Sequence, residues 1–205
     1  MAIRALFPTL VHVGRLLRGS PDDLNVRLLR ECRQLRLDDR AGRRWSRDNY
    51  PGGYTSYGSV NRMHRLSPTF AAVEAALTPH VRRFSRALGL DLRRRPLAMT
   101  DCWVNIMPHR VAHGSHIHPL STLSGTYYVQ VPADSPGLKF EDPRLERMMA
   151  SPPRRRSAAA ASQPWVVMPA HAGRFFLFES WLRHEVAANR ARGERISISF
   201  NYSWF

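Results

Sequence analysis

The sequence predicts an α+β fold, most simply a β-sandwich or jelly roll with helices packed on one face. Three observations lead there. Helical spacing of apolar residues is confined to the first half of the chain. Near residue 97 the pattern changes to short runs rich in β-branched and aromatic residues, with period two. Hydrophobic residues make up 43% of 205 residues, enough for one ordinary core and too many for a disordered chain.

The elements follow in order. The chain starts extended, through Leu6-Phe7-Pro8-Thr9-Leu10-Val11. Ser20-Pro21-Asp22-Asp23 reads as a helix start, with proline and acids in the first turn. Leu24, Leu28, Cys32 and Leu35 then keep helical spacing. Residues 38–62 are polar and rich in Gly, Tyr, Arg and Asp, and read as a long loop. Ser67-Pro68 opens a second helix, carried by Phe70, Val73, Leu77, Val81, Phe84 and Leu88. Pro79 should kink or split it, and Gly89 should end it. Strands are expected at Leu97–Met107, Leu123–Val131, Leu138–Phe140, Trp165–Met168, Arg174–Phe178 and Arg195–Trp204. The Ala-, Ser- and Arg-rich residues 151–163 read as a loop.

Composition excludes several classes. No run of apolar residues is long enough to span a membrane. The apolar N-terminal stretch is broken by Arg4, Pro8 and Arg15, so it does not read as a secretory signal. Cys32 and Cys102, the two cysteines, sit in apolar contexts and read as buried thiols of a cytoplasmic protein. The net charge is +15, but the arginines are scattered. The dense runs are Arg93–Arg95 and Arg154–Arg156. No zinc finger, RNA-binding aromatic motif or basic zipper accompanies them. Nucleic acid is therefore not the expected partner; a small-molecule, carrier-bound or peptide substrate is. Nothing here fixes an oligomeric state.

Two strands report on their faces. Arg195, Ser197, Ser199, Asn201 and Ser203 share one side of the last strand; Ile196, Ile198, Phe200, Tyr202 and Trp204 share the other. In Leu123–Val131, Ser124, Thr126, Tyr128 and Gln130 form the polar side. We read these polar faces as the lining of a cavity, with the apolar faces against the helices.

Histidines carry the chemistry. His109, His113, His116 and His118 lie in one short stretch. His116-Ile117-His118 puts two imidazoles on one side of an extended chain. His184, after the strand Arg174–Phe178, is the candidate third ligand. Three ligands on one face of non-haem Fe(II) leave the other face open for a bidentate cosubstrate and dioxygen. 2-Oxoglutarate is such a cosubstrate, and its far carboxylate needs a cation. Arg195 offers a planar fork, Ser197 a hydroxyl on the same side, and Tyr128 a phenol. Asn105 bonds the cosubstrate or positions substrate, or else is a satisfied polar residue beside the sheet. Arg144 either holds a substrate carboxylate or pairs with Asp142, and Trp181 either packs beside the iron strand or meets substrate. His109 and His113 read as loop residues. His12, His64, His80 and His171 read as surface or structural.

Four motifs together resemble a bacterial family of 2-oxoglutarate/Fe(II) oxygenases. They are His116-x-His118-Pro119-x-Ser121-x-x-Ser124-Gly125-x-Tyr127-Tyr128, Phe140-Glu141-Asp142-Pro143-Arg144, Phe178-Glu179-Ser180-Trp181-Leu182-x-His184-Glu185-Val186 and Arg195-Ile196-Ser197-Ile198-Ser199-Phe200-Asn201. The wider similarity is to prolyl hydroxylases. The resemblance implies a single domain over residues 1–205. Its helical N-terminal part is 1–96, packed on one sheet, and 97–205 form a double-stranded β-helix core. It implies Fe(II), 2-oxoglutarate and dioxygen as cofactors, decarboxylation of 2-oxoglutarate to succinate, and hydroxylation of a substrate C–H. It also exposes a departure: His118 stands where an acid is expected. The second ligand is then His118 itself, a water or chloride, or a carboxylate from Glu141, Asp142 or Glu179. Two other readings remain open: a three-histidine cupin-type dioxygenase needing no 2-oxoglutarate, and a non-catalytic β-roll binding module.

Overall fold

The computed structural model describes residues 2–16 and 22–204. Ten strands form two antiparallel sheets that face each other. The larger sheet contains β1 (Val11–Arg15), β2 (Tyr54–Thr55), β3 (Ala98–Met107), β5 (Leu123–Gln130), β8 (Arg174–Glu179) and β10 (Arg195–Ser203), in the order β1-β8-β5-β10-β3-β2. The smaller contains β4 (His113–His116), β6 (Leu138–Glu141), β7 (Trp165–Met168) and β9 (His184–Val186), in the order β4-β9-β6-β7. This is the double-stranded β-helix.

Helices cover the outer face of the larger sheet. α1 (Asp22–Asp38) brings Leu28 and Cys32, α3 (Met63–Leu66) brings Met63, and α4 (Pro68–Ala87) brings Phe70, Val73, Leu77, Val81 and Phe84. They pack against Val104, Ile106, Ile196, Ile198, Phe200 and Leu177, all buried. The period-two pattern thus sends apolar residues outward to the helices, and the opposite residues inward to the second sheet. Cys32 and Cys102 are both buried and unbonded to each other. Burial holds the thiol pKa of each above its ordinary value.

Several expectations need correction. Residues 38–62 are not one loop: they hold α2 (Arg40–Asn49) and β2. Asp39 caps α2 by accepting the Gly42 N–H at 2.7 Å. The helix escapes a hydrophobic pattern because the residues it buries are Gly42 and Ser46. Pro79 does not split α4, which runs unbroken to Ala87. Val73, Leu77, Val81 and Phe84 stay buried on both sides of the proline, so packing outweighs the lost hydrogen bond. Gly89, at φ +68°, follows its end as expected. The N-terminal part is not wholly helical, since β1 and β2 supply the edges of the larger sheet. The extended start settles into a strand at 11–15, later than Leu6. Ser20 and Pro21 of the expected helix start lie outside the described residues. The short strands β4 and β9 carry little sequence signal at four and three residues.

Candidate active site

The inner face of the larger sheet is built by register. β10 pairs with β3 as Arg195↔Met107, Ser197↔Asn105 and Ser199↔Trp103. It pairs with β5 as Ser197↔Tyr128, Ser199↔Thr126 and Asn201↔Ser124. Partners in an antiparallel ladder point to one side, so these polar groups share a face. Together with the smaller sheet they enclose a cavity of about 440 Å³.

His116 and His184 are register partners between β4 and β9. His118 lies just beyond β4, fixed by its backbone N–H on the Ser180 carbonyl at 3.0 Å. One nitrogen from each of His116, His118 and His184 lies within 4.8 Å of the others. The free nitrogens can be identified. His116 Nδ1–H donates to the Gly114 carbonyl at 2.8 Å, and His184 Nδ1–H to the Leu182 carbonyl at 2.8 Å. His118 Nδ1–H donates to Asn201 Oδ1 at 2.7 Å. Each Nε2 is therefore left with a lone pair, as a metal requires. Burial pushes His184 down to about 2 and His118 down to about 4, and lowers His116 as well. The neighbouring imidazoles depress His184 further. The set is neutral at physiological pH, hence ready to ligate.

Asn201 is held in turn. Its Oδ1 also accepts Ser124 Oγ–H at 2.8 Å, and Ser124 bonds Ser180 Oγ at 2.8 Å. All three residues are buried. Sequence reasoning missed this support, although the alternation of Ser197, Ser199 and Asn201 points to it.

Arg195 opens β10 and is 4% exposed. Its guanidinium lies 4.9 Å from the Tyr128 ring. Arg195 Nε, Tyr128 OH, Tyr50 OH and Asn105 Oδ1 are all buried and lack a hydrogen-bond partner among the described residues. Burial raises the Tyr50 hydroxyl to about 12 and raises Tyr128 too, so both stay protonated as donors. Buried polar atoms without partners are costly. Arg195, Tyr50 and Asn105 line the cavity, and Tyr128 lies against the Arg195 guanidinium without lining it. Ser197 is buried beside them and lines the cavity. The residues present fit both implied groups: three imidazoles for a divalent transition metal, and these donors for a carboxylate.

Other residues fall elsewhere. Arg144 forms two bonds to Asp142, at 2.9 and 2.8 Å, and does not line the cavity. Trp181 is 47% exposed and does not line it either. No carboxylate joins the three imidazoles among the described residues. Glu141 instead faces Arg183 at 3.8 Å. His109 bonds the Ala191 carbonyl at 3.1 Å. His113, expected in a loop, sits on β4 and stacks on His116 at 4.6 Å. Burial pushes it down to about 3. Its spacing of three from His116 gave no reason to place it there, because a register shift separates the two. His12 and His80 bond each other at 3.2 Å outside this site.

Residues 101–201 match the model of the family described as "Putative 2OG-Fe(II) oxygenase". Curated proteins give no match. Among solved structures, the chain is similar to a Pseudomonas putida prolyl-4-hydroxylase at 16% identity and TM-score 0.60, covering 96% of this chain and 94% of that one. It is similar to HygX from Streptomyces hygroscopicus, solved with nickel, 2-oxoglutarate and hygromycin B, at 17% identity and TM-score 0.59, covering 96% and 83%. It spans 58% of a 2OG-Fe(II) oxygenase family oxidoreductase from Burkholderia pseudomallei, with 66% of this chain covered, 20% identity and TM-score 0.48. The first two likenesses show the shared fold. The family match supports the oxygenase reading over the cupin-type and non-catalytic ones.

Proposed function

With residues 101–201 forming a 2OG-Fe(II) oxygenase domain, we propose that this enzyme hydroxylates a substrate C–H at the site made by His116, His118, His184 and Arg195. One observation carries the reading. Three imidazoles with satisfied Nδ1 atoms and free Nε2 atoms converge in the same cavity as a buried Arg195 whose Nε has no partner among the described residues.

Fe(II), 2-oxoglutarate and dioxygen are the cofactors of the domain, and they supply an oxidation coupled to conversion of 2-oxoglutarate to succinate and carbon dioxide. The chain supplies placement. His116, His118 and His184 would hold the metal. Arg195 takes the far carboxylate of 2-oxoglutarate, while the Tyr128 phenol and the Ser197 hydroxyl donate to it. The Tyr50 phenol, also unpartnered, is a further donor at that end. Met107, Leu138, Phe178 and Val186 line the cavity and keep water from it. Three neutral ligands would leave the metal its full charge, so with Arg195 counted the dianion would leave the site one positive charge.

We place the enzyme in the cytoplasm, a reading supported by its two buried free thiols. No helix among the described residues is long and apolar enough to cross a membrane. The cavity, open at one end, suits a small molecule, a carrier-bound group or a peptide side chain better than nucleic acid.

The test is anaerobic addition of Fe(II) and 2-oxoglutarate. A weak visible charge-transfer band is expected, absent in His184→Ala. Arg195→Ala should weaken 2-oxoglutarate binding by at least about 100-fold, since it removes the charge partner of a desolvated carboxylate. Unchanged affinity in that variant would make the anchor assignment wrong.

A further inference from the structure

Two features of the cavity go unused by metal and cosubstrate. The first is an aromatic wall. Trp45 meets Tyr57 with ring centroids 6.3 Å apart, Tyr57 meets Trp103 at 5.1 Å, and Trp103 meets His118 at 5.6 Å. Tyr57 is half exposed and Trp103 is buried, so the wall runs from the mouth to a metal ligand. It is rigid. The Ser46 hydroxyl on α2 donates to the Thr55 carbonyl at 3.2 Å and accepts the Thr55 N–H at 3.0 Å. Gly58 leaves no room for a side chain under the Trp45 indole, where a Cβ would come within 2.5 Å of the ring.

The second is Asn105. Its amide nitrogen donates to Ser199 Oγ at 2.9 Å, and its Oδ1 is buried without a partner. At neutral pH 2-oxoglutarate carries only acceptors, so it cannot satisfy that oxygen. A hydroxyl or N–H from a substrate can. Charge narrows the choice. No Asp, Glu or Lys lines the cavity among the described residues, and Arg195, its one fixed charge, lies at the cosubstrate end. A substrate ammonium here would be desolvated with no counterion.

We propose that the substrate is an uncharged, hydroxyl-bearing ring of the saccharide or cyclitol class. Its C–H face lies on one ring of the wall, where neighbouring rings meet at 67° and 60°, and one hydroxyl donates to Asn105 Oδ1. An arene without a hydroxyl would use the wall but offer the amide no donor. A ring with a C–H face and a hydroxyl edge uses both, with Asn49 and Thr55 as further neutral polar groups at the wall. The inference rests on the oxygenase site above, and it names what that site acts on.

The experiment uses full-length protein loaded anaerobically with Fe(II) and 2-oxoglutarate. Methyl glucoside, maltose, myo-inositol, glucosamine, 2-naphthol and an acetylated proline peptide are titrated, reading tryptophan emission and the charge-transfer band. The neutral sugars or inositol should saturate both signals. Tyr57→Ala and Trp45→Ala should each weaken that binding by about tenfold, and Asn105→Leu by about as much. Three results overturn the proposal: glucosamine binding as tightly as the neutral sugars, saturation by naphthol or peptide alone, or no response to any neutral sugar or cyclitol. A missing band in the wild type before any titrant is added strikes at the cosubstrate reading instead.

Discussion

Three imidazoles in one cavity can ligate only if each presents an unprotonated nitrogen, and this chain arranges that with three acceptors. Two are backbone carbonyls, of Gly114 and Leu182, which no side-chain substitution removes. The third is Asn201 Oδ1, which a single change can take away. Asn201→Leu should therefore weaken metal binding by about 10–100-fold without touching a ligand. Calorimetric titration of metal-free protein with Ni(II) measures it. The same histidines set a pH dependence. Folded, His184, His118 and His113 titrate near 2, 4 and 3; unfolded, they return to the ordinary 6.5. Between those limits the unfolded chain binds protons that the folded one refuses, so stability falls as pH drops below about 6.5. Metal-free protein should melt at progressively lower temperature from pH 7 to pH 5, with a shallower slope in His184→Ala. Equal slopes in the two proteins would mean that burial does not hold His184 neutral.

Among the elements, α2 shows how a polar segment becomes a fixed wall. Asp39 accepts the Gly42 N–H at 2.7 Å, the Tyr54 hydroxyl at 2.9 Å and the Ser59 hydroxyl at 2.5 Å. It joins helix start, strand and turn through one carboxylate. Asp39→Ala should destabilise the protein by about 2 kcal/mol or more, losing the cap and leaving the buried Tyr54 hydroxyl unpaired. Chemical denaturation with an unchanged m-value would register it. On β5, Gly125 sits where a Cβ would lie 2.4 Å from the Phe176 carbonyl oxygen and 2.4 Å from the Phe200 ring. Gly125→Ala should cost about 1–3 kcal/mol, because the backbone oxygen cannot yield as a flexible side chain could. In both places a small residue permits a close approach that hydropathy does not register.

For the whole molecule, metal binding and folding are linked. The three ligands come from β4, the turn after it and β9, elements that unfolding separates. Metal at about 100 times its dissociation constant should add about 2.7 kcal/mol, or roughly 5–10 °C in melting temperature for a chain of this size. Thermal melts with Ni(II) and with EDTA test this, and His184→Ala should lose most of the difference. The net charge of +15 has no part in the cavity, where Arg195 is the one arginine in the lining. The charge acts on solubility and on long-range attraction of anions.

The chain's residues alone determined the two-layer fold, the inward polar faces and the ligand candidates. Period two in Arg195–Ser203 and Leu123–Gln130 encodes which side is wet, and His-x-His with a distant His encodes a metal. These are local signals, written within a few residues. What only the tertiary structure decided lies between elements. It brought His113 onto His116, gave Asn201 to His118 and left Arg144 with Asp142 outside the cavity. It also turned residues 40–49 into a helix whose Trp45 joins Tyr57 and Trp103. The physical reason is that α2 buries Gly42 and Ser46, and that each of these pairings depends on register and sheet stacking, which no window along the chain contains.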